Sequence, residues 1–259
     1  IMYYPYLRGK QFELIALREF SKETPTPSHV CPIIEPVKSS FNGLKTAIDA
    51  LSSKKISFAL VLNPSDGDFR REQQDILVNL PFLKELGGWT PAFIYKGDGS
   101  RIETYIATNS LNDVMIIFQD SIDLSKEDVS QLLGNNSVKY VVANLERDRR
   151  NRRLLAKSGK DLIRLDDQFH EQPRNADYQD IPEEKFTEEH KYYSEEGYNG
   201  FADYVTLPSN FKESGMLPYA VAIHMTYQKN EDEIFVRHFV SDHNSDNTNI
   251  PGKFYEAAI

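Results

Sequence analysis

Six short apolar runs recur along the chain, each ending in polar residues and followed by a helix-like stretch. They are CPIIEPVK (31–38), SFALVLNP (57–64), TPAFIYKG (90–97), DVMIIFQD (113–120), VKYVVANLE (138–146) and DLIRLDDQ (161–168). Apolar runs without alternation belong to strands covered on both faces, as in parallel sheets wrapped by helices. The unit returns every ~22 to 34 residues, about the length of one strand and one crossover helix. YYPYLRG (3–9) supplies a further strand before these six, and GFADYVTLP (200–208) an eighth after them.

Between the strands, residues 41–55 place Leu44, Ala47, Ile48 and Leu51 at the spacing of one buried helical stripe. KQFELIALREFSKE after the first strand reads the same way, and 69–86, 100–109, 125–133 and 148–157 are more polar versions. Strands alternating with helices imply an α/β fold with parallel strands. The expectation is a (β/α)8 TIM-barrel-like parallel barrel forming a single domain over residues 1–259. The alternative is an open doubly wound α/β sheet, ranked second because no glycine-rich dinucleotide fingerprint follows the first strand.

Two regions break the repeat. Residues 169–199 form a long, acidic, tyrosine-rich insertion with the character of a loop or lid, with a helix expected from near Pro182. Residues 218–242 hold two β-rich runs separated by QKNEDE and read as an appended antiparallel β-hairpin. The closing FYEAAI reads as part of a final helix.

Composition excludes some classes. The formal net charge of −9 argues against a surface that binds duplex nucleic acid all over, while leaving room for a local basic patch. No apolar stretch approaches the ~18 residues of a membrane span and the N-terminus lacks signal-peptide layout, so no membrane association and a cytoplasmic location are expected. One cysteine excludes an internal disulfide and any cysteine-rich zinc site.

YYPYLRGKQFELIALRE, PIIEPVK and the late segments FADYVTLP, AVAIHMTY, IFVRHFVSD and GKFYEA resemble the bacterial and phage "beta family" proteins, over nearly the whole chain. The resemblance implies a barrel-like α/β fold and an origin in prophages or other mobile elements, where phage-conflict functions such as antiviral defence are common. It supplies no reaction and no catalytic residue.

In a parallel barrel, ligands are met at the C-terminal ends of the strands. Those ends carry Arg8, Lys10, Glu35, Lys38, Asn63, Lys96, Gln119, Asp120, Asn144, Glu146, Asp166 and Asp167. Strand ends meet water in every barrel, so polar residues are also expected there without any function. In DLIRLDDQ, Ile163 and Leu165 are expected to meet the helices, which turns Arg164 and Asp166 toward the barrel interior as a pair. Glu35 and Asp166 are then candidate acid/base groups, or carboxylates holding magnesium through waters; the metal itself is unknown. Arg8, Lys10, Lys38, Asn63, Lys96, Asn144 and Arg164 are candidate ligand contacts.

ERDRRNRR (146–153) is the main charge anomaly. Arg149 and Arg153 lie one helical turn apart and suit a phosphate, a nucleic-acid backbone or an acidic partner, although a solvated helix surface explains them equally. The acidic segment 171–196 is a candidate partner for these arginines within the chain or across a homo-oligomer. GDGSR (97–101) reads as a turn, with backbone N–H groups presented to a phosphate as the alternative, NPSDGD (63–68) as a turn and helix start, and Cys31 as a buried residue rather than a nucleophile. His224 and His238 fall on the two hairpin runs, opposite one another. RHFVSDHN (237–244) makes His238 and Asp242 a candidate acid/base pair.

Two functions follow. The first is an interaction protein that binds a partner subunit or phage component through the hairpin, the acidic segment and the arginine cluster. The second is a metal-dependent enzyme acting on a phosphate-containing ligand, such as a nucleotide or nucleic acid, at the barrel mouth. The absence of a catalytic signature favours the first.

Overall fold

The computed structural model describes residues 2–213 and 217–259, and the chain divides into two compact units. The first comprises residues 1–166 and 193–203, the second residues 167–192 and 204–259.

The first unit is a closed barrel of eight parallel strands. They are β1 (Tyr3–Leu7), β2 (Ile33–Ile34), β3 (Phe58–Val61), β4 (Trp89–Ile94), β5 (Val114–Ile117), β6 (Val138–Ala143), β7 (Asp161–Asp166) and β9 (Gly200–Asp203). β9 pairs with both β7 and β1 and so closes the ring, which excludes the open doubly wound alternative. Helices α1 (Gln11–Glu23), α2 (Asn42–Ser53), α4 (Gly99–Thr108), α5 (Glu127–Gly134) and α6 (Arg149–Ala156) follow the strands as the periodicity requires. The stretch 69–86 is broken instead into a 3-10 turn (Gly67–Arg70), the short α3 (Ile76–Asn79) and a second 3-10 turn at Pro81–Lys84. Pro81 has no N–H to give to a continuing helix, so the apolar pattern survives while the helix does not.

Register divides each strand into two faces. Leu7, Ile34, Leu60, Phe93, Ile116, Val141, Leu162 and Phe201 lie on one face. Leu162 and Phe201 share a buried cluster with the helix residues Leu44, Ile48, Leu51, Ile102, Val129 and Leu155, so this is the helix-facing side. Tyr6, Ile33, Ala59, Val61, Ala92, Ile94, Met115, Ile117, Ile163 and Ala202 have the opposite parity and fill the barrel interior, all buried. This reverses the facing expected for β7. Ile163 and Leu165 point inward, while Arg164 and Asp166 lie on the helix side with Leu162.

The second unit is a three-stranded antiparallel sheet of β8 (Glu183–Thr187), β10 (Ala222–Gln228) and β11 (Ile234–Val240) in the order β10-β11-β8. The hairpin is β10 and β11, and their register sets His224 opposite His238. The segment expected to be a helix from Pro182 is instead β8, whose Phe186 packs with Phe169, Tyr178 and Val236 into a small core. A 3-10 turn (Asn175–Asp180) and α7 (Glu189–Tyr192) occupy the rest of the acidic insertion, and the final helix α8 (Ile250–Ala258) contains most of FYEAAI. No helix among the described residues is long and apolar enough to cross a membrane.

Candidate functional site

At the C-terminal mouth of the barrel the central group is Tyr6, Arg8, Glu35 and Asp66. Arg8 and Glu35 are 4 % and 1 % exposed. Arg8 Nη1 donates to Glu35 Oε2 and lies 3.3 Å from Asp66 Oδ2, and the Tyr6 hydroxyl donates to the same Glu35 oxygen at 2.7 Å. The guanidinium carbon stands 5.1 Å from the centre of the Tyr6 ring, and Gln119 Nε2 reaches the Tyr6 hydroxyl at 3.5 Å. The second oxygen, Glu35 Oε1, is buried and receives no hydrogen bond. Charges buried to this degree are stable only when paired, and the network gives Glu35 its countercharge at one oxygen only.

Arg164 and Asp166 form a separate network on the helix side. Arg164 Nε donates to Asp166 Oδ1 and Oδ2 at 2.9 and 3.1 Å, and its Nη1 to Glu196 Oε2 at 2.9 Å. Its Nη2 lies 3.6 Å from Glu146, and Asn144 Nδ2 donates to Asp166 Oδ1 at 2.8 Å. Glu35 and Asp166 therefore sit on opposite faces of the barrel wall, and they form no common carboxylate pair with Lys96. Among the described residues no group of three or more His, Cys, Asp or Glu side chains is arranged to hold a metal ion. Asn63 is likewise spent inside the sheet: its amide exchanges hydrogen bonds of 2.8 and 2.9 Å with the carbonyl and N–H of Ile94.

Two further strand-end cations stay at the surface. Lys38 lies 3.5 Å from Asp68, and Lys10 starts α1, where its backbone N–H donates to Glu13. Lys96, also exposed, donates to Ser65 Oγ beside a cleft of about 270 Å³. Arg101, Gln73, Asp75 and Asp98 supply the cleft's polar rim, and Leu62, Phe93, Ile102 and Tyr105 its apolar wall. The Tyr105 hydroxyl donates to Asp75 Oδ1 at 2.7 Å; burial first, then this carboxylate, pushes its pKa far above the usual tyrosine range. Cys31 is buried at the start of β2, which pushes its thiol up to about 12 and removes it as a nucleophile at neutral pH.

On α6 the cluster splits. Asp148 caps the helix by accepting from the Asn151 N–H at 3.0 Å. Arg152 turns inward, with Nη1 3.1 Å from Glu196 but off the hydrogen-bonding direction, so the acidic segment does consume one arginine. Arg149, Arg150, Arg153 and Lys157 are exposed without an ion-pair partner among the described residues. They line a groove of about 450 Å³ around Leu154, which is 51 % exposed.

In the second unit His238 is buried, and its Nε2 stands 3.3 Å from Glu184 Oε1. Its Nδ1 meets His224 Nδ1 at 2.7 Å, and the other Glu184 oxygen holds His170 Nδ1 at 2.9 Å. Two ring nitrogens that close share one proton. A proton on His238 Nε2 donates to Glu184, which leaves His238 Nδ1 to accept from His224. Burial, then the neighbouring His238, lowers the His224 pKa to about 4, and burial also lowers that of His238. The edges and faces of Phe169 and Tyr178 enclose both rings. Asp242 takes no part in this pair; it is exposed, and the carboxylate that serves His238 is Glu184.

Nothing in the sequence patterning marks Asp66, Glu184 or Glu196 as site residues. Tyr6 alone had a readable signal, since it shares strand parity with Arg8. Compared with family models, curated proteins and solved structures, the chain matches none.

Proposed function

We propose that this chain is an interaction protein whose barrel presents α6 as a docking face for an acidic protein segment. The observation that carries the reading is the set of four unpaired cations, Arg149, Arg150, Arg153 and Lys157, ringing the exposed Leu154 in a chain of net charge −9. An apolar centre with a charged rim is the composition of a protein-binding patch. Nucleic-acid strands are gripped instead by basic grooves interleaved with aromatic rings, and this groove is lined by no aromatic residue. The buried charges at the barrel mouth support the same reading, because Arg8 pairs with Glu35 and Asp66, and Arg70 supplies the second cation on Asp66. In the setting implied by the resemblance to beta-family proteins, the partner is a phage or host component met in the cytoplasm during phage conflict.

Fluorescence anisotropy with a labelled Glu/Leu-rich peptide tests this, with single-stranded and duplex DNA as competitors. Arg150→Glu/Arg153→Glu is expected to weaken peptide binding at least about tenfold, or ~1.4 kcal/mol. Binding of the wild type should also fall as salt rises. Unchanged affinity in the double variant, or tighter binding to DNA than to the peptide, would overturn the reading.

A second reading rests on the cleft beside Lys96. Its two cations, Lys96 and Arg101, have no carboxylate partner among the described residues, and they face an apolar wall of Phe93 and Ile102. Its volume lies just below the ~300 to 1,000 Å³ of drug-sized ligand pockets and suits a small phosphomonoester. Calorimetry with a mononucleotide and a sugar phosphate, repeated on Arg101→Gln, decides it: binding lost in the variant supports this reading, and no heat with either ligand removes it.

A further inference from the structure

The free edge of the antiparallel sheet is β10, and its sequence, AIHMTYQ, contains no charged residue, no proline and no glycine. Edge strands are ordinarily guarded by charges, prolines or bulges, because a row of open N–H and C=O groups recruits another strand. The opposite edge of this same sheet obeys that rule, since β8 begins Glu183, Glu184, Lys185. β10 also pairs with β11 over seven consecutive residues without a bulge.

The pairing shows which backbone groups are open. The Lys229 N–H donates to the Glu233 carbonyl and the Ser241 N–H to the Val221 carbonyl, so the odd-numbered residues of β10 exchange their hydrogen bonds with β11. The even-numbered residues Ala222, His224, Thr226 and Gln228 therefore aim N–H and C=O away from the sheet. No described residue hydrogen-bonds to those groups. The side chains of the odd residues line the outer face, with Met225 58 % and Tyr227 37 % exposed.

We propose that β10 pairs with β10 of a second copy of this chain, antiparallel about a twofold axis at Met225, so that two three-stranded sheets become one continuous sheet. In that register Ala222 meets the second copy's Gln228 and His224 meets the second copy's Thr226, so every pair joins residues whose backbone groups point outward. On the outer face Met225 meets its own equivalent and Ile223 meets the second copy's Tyr227, an aromatic and β-branched cross-strand pair. A strand without charge meets itself without like-charge repulsion, and the apolar stripe is self-complementary, as a twofold interface requires. A foreign peptide is less well specified, because β10 offers it no charge to read.

The test uses the full chain in sedimentation velocity over a wide concentration range, with Thr226→Pro and Met225→Lys as variants. Thr226 donates its N–H away from β11, so proline there removes an outward hydrogen bond and leaves the hairpin ladder intact. The expected result is a concentration-dependent dimer in the wild type and a monomer in both variants, with unchanged circular dichroism. Amide exchange should then show concentration-dependent protection at His224 and Thr226 and none of that dependence at Met225. A wild type that stays monomeric throughout, or a dimer that survives Thr226→Pro, would overturn the proposal.

Discussion

Arg8 and Glu35 show how charges at a barrel mouth can be buried and paired with one another. Each is almost wholly buried, and Glu35 Oε2 collects both the Arg8 guanidinium and the Tyr6 hydroxyl. Removing one partner strands the other, so Arg8→Met is expected to cost about 3–5 kcal/mol, whereas Arg8→Met/Glu35→Leu should cost less than the single change. Urea unfolding of the two variants and the wild type checks this; a double variant less stable than Arg8→Met would count against a closed pair. His224 and His238 respond to pH instead. Their pKa values are lowered in the fold, to about 4 for His224, so between the unfolded value near 6.5 and pH 4 the unfolded chain binds more protons. Stability is full above that window and falls as pH drops through it. The melting temperature should therefore fall from pH 6.5 to 4.5, and less steeply in His224→Phe; equal slopes would refute the assignment. The His224–His238 pairing was legible in the sequence from hairpin geometry, but Glu184 was not, because in the acidic 171–196 segment nothing distinguishes it from its neighbours.

At the scale of elements, the strand-helix period of the barrel was readable because each strand buries both faces. The same property hid which face is which. In DLIRLDDQ both parities carry large apolar or pairable groups, and the helix side of β7 is settled by Glu196, a residue thirty-two positions from Arg164. The segment 69–86 kept its apolar spacing but lost its helix to Pro81. The NPSDGD turn, by contrast, is legible in the sequence, and Gly67 shows why it must be a turn. Its φ is +61°, and a Cβ there would lie 2.1 Å from the Val37 carbonyl oxygen. Gly67→Ala should therefore destabilise by more than about 1 kcal/mol, whereas Gly87→Ala, which meets nothing within 4 Å, should be close to neutral. Thermal unfolding of the pair measures the difference, and equal melting temperatures would show that the β3–α3 turn relaxes freely.

For the molecule as a whole, the order of elements along the chain matters more than their number. The chain leaves the barrel after Asp166, builds part of the antiparallel unit over residues 167–192, and returns to supply β9 before leaving again at residue 204. The last barrel strand is thus inserted late, between β7 and β1, and it is the strand that closes the ring. This return was visible in the sequence as GFADYVTLP, but the division into two units was not, because it depends on where distant segments pack rather than on any linker composition. A chain ending at Tyr192 lacks β9 and leaves β1 and β7 as two open edges in a sheet whose strands are apolar on both faces. A chain ending at Asp203 keeps all eight strands. The shorter chain is therefore expected to lose cooperative unfolding and to aggregate, while the longer one retains a cooperative transition by far-ultraviolet circular dichroism. If both chains unfold with the same cooperativity, ring closure by β9 is not what holds the barrel, and the seven preceding strands must form a stable open sheet by themselves.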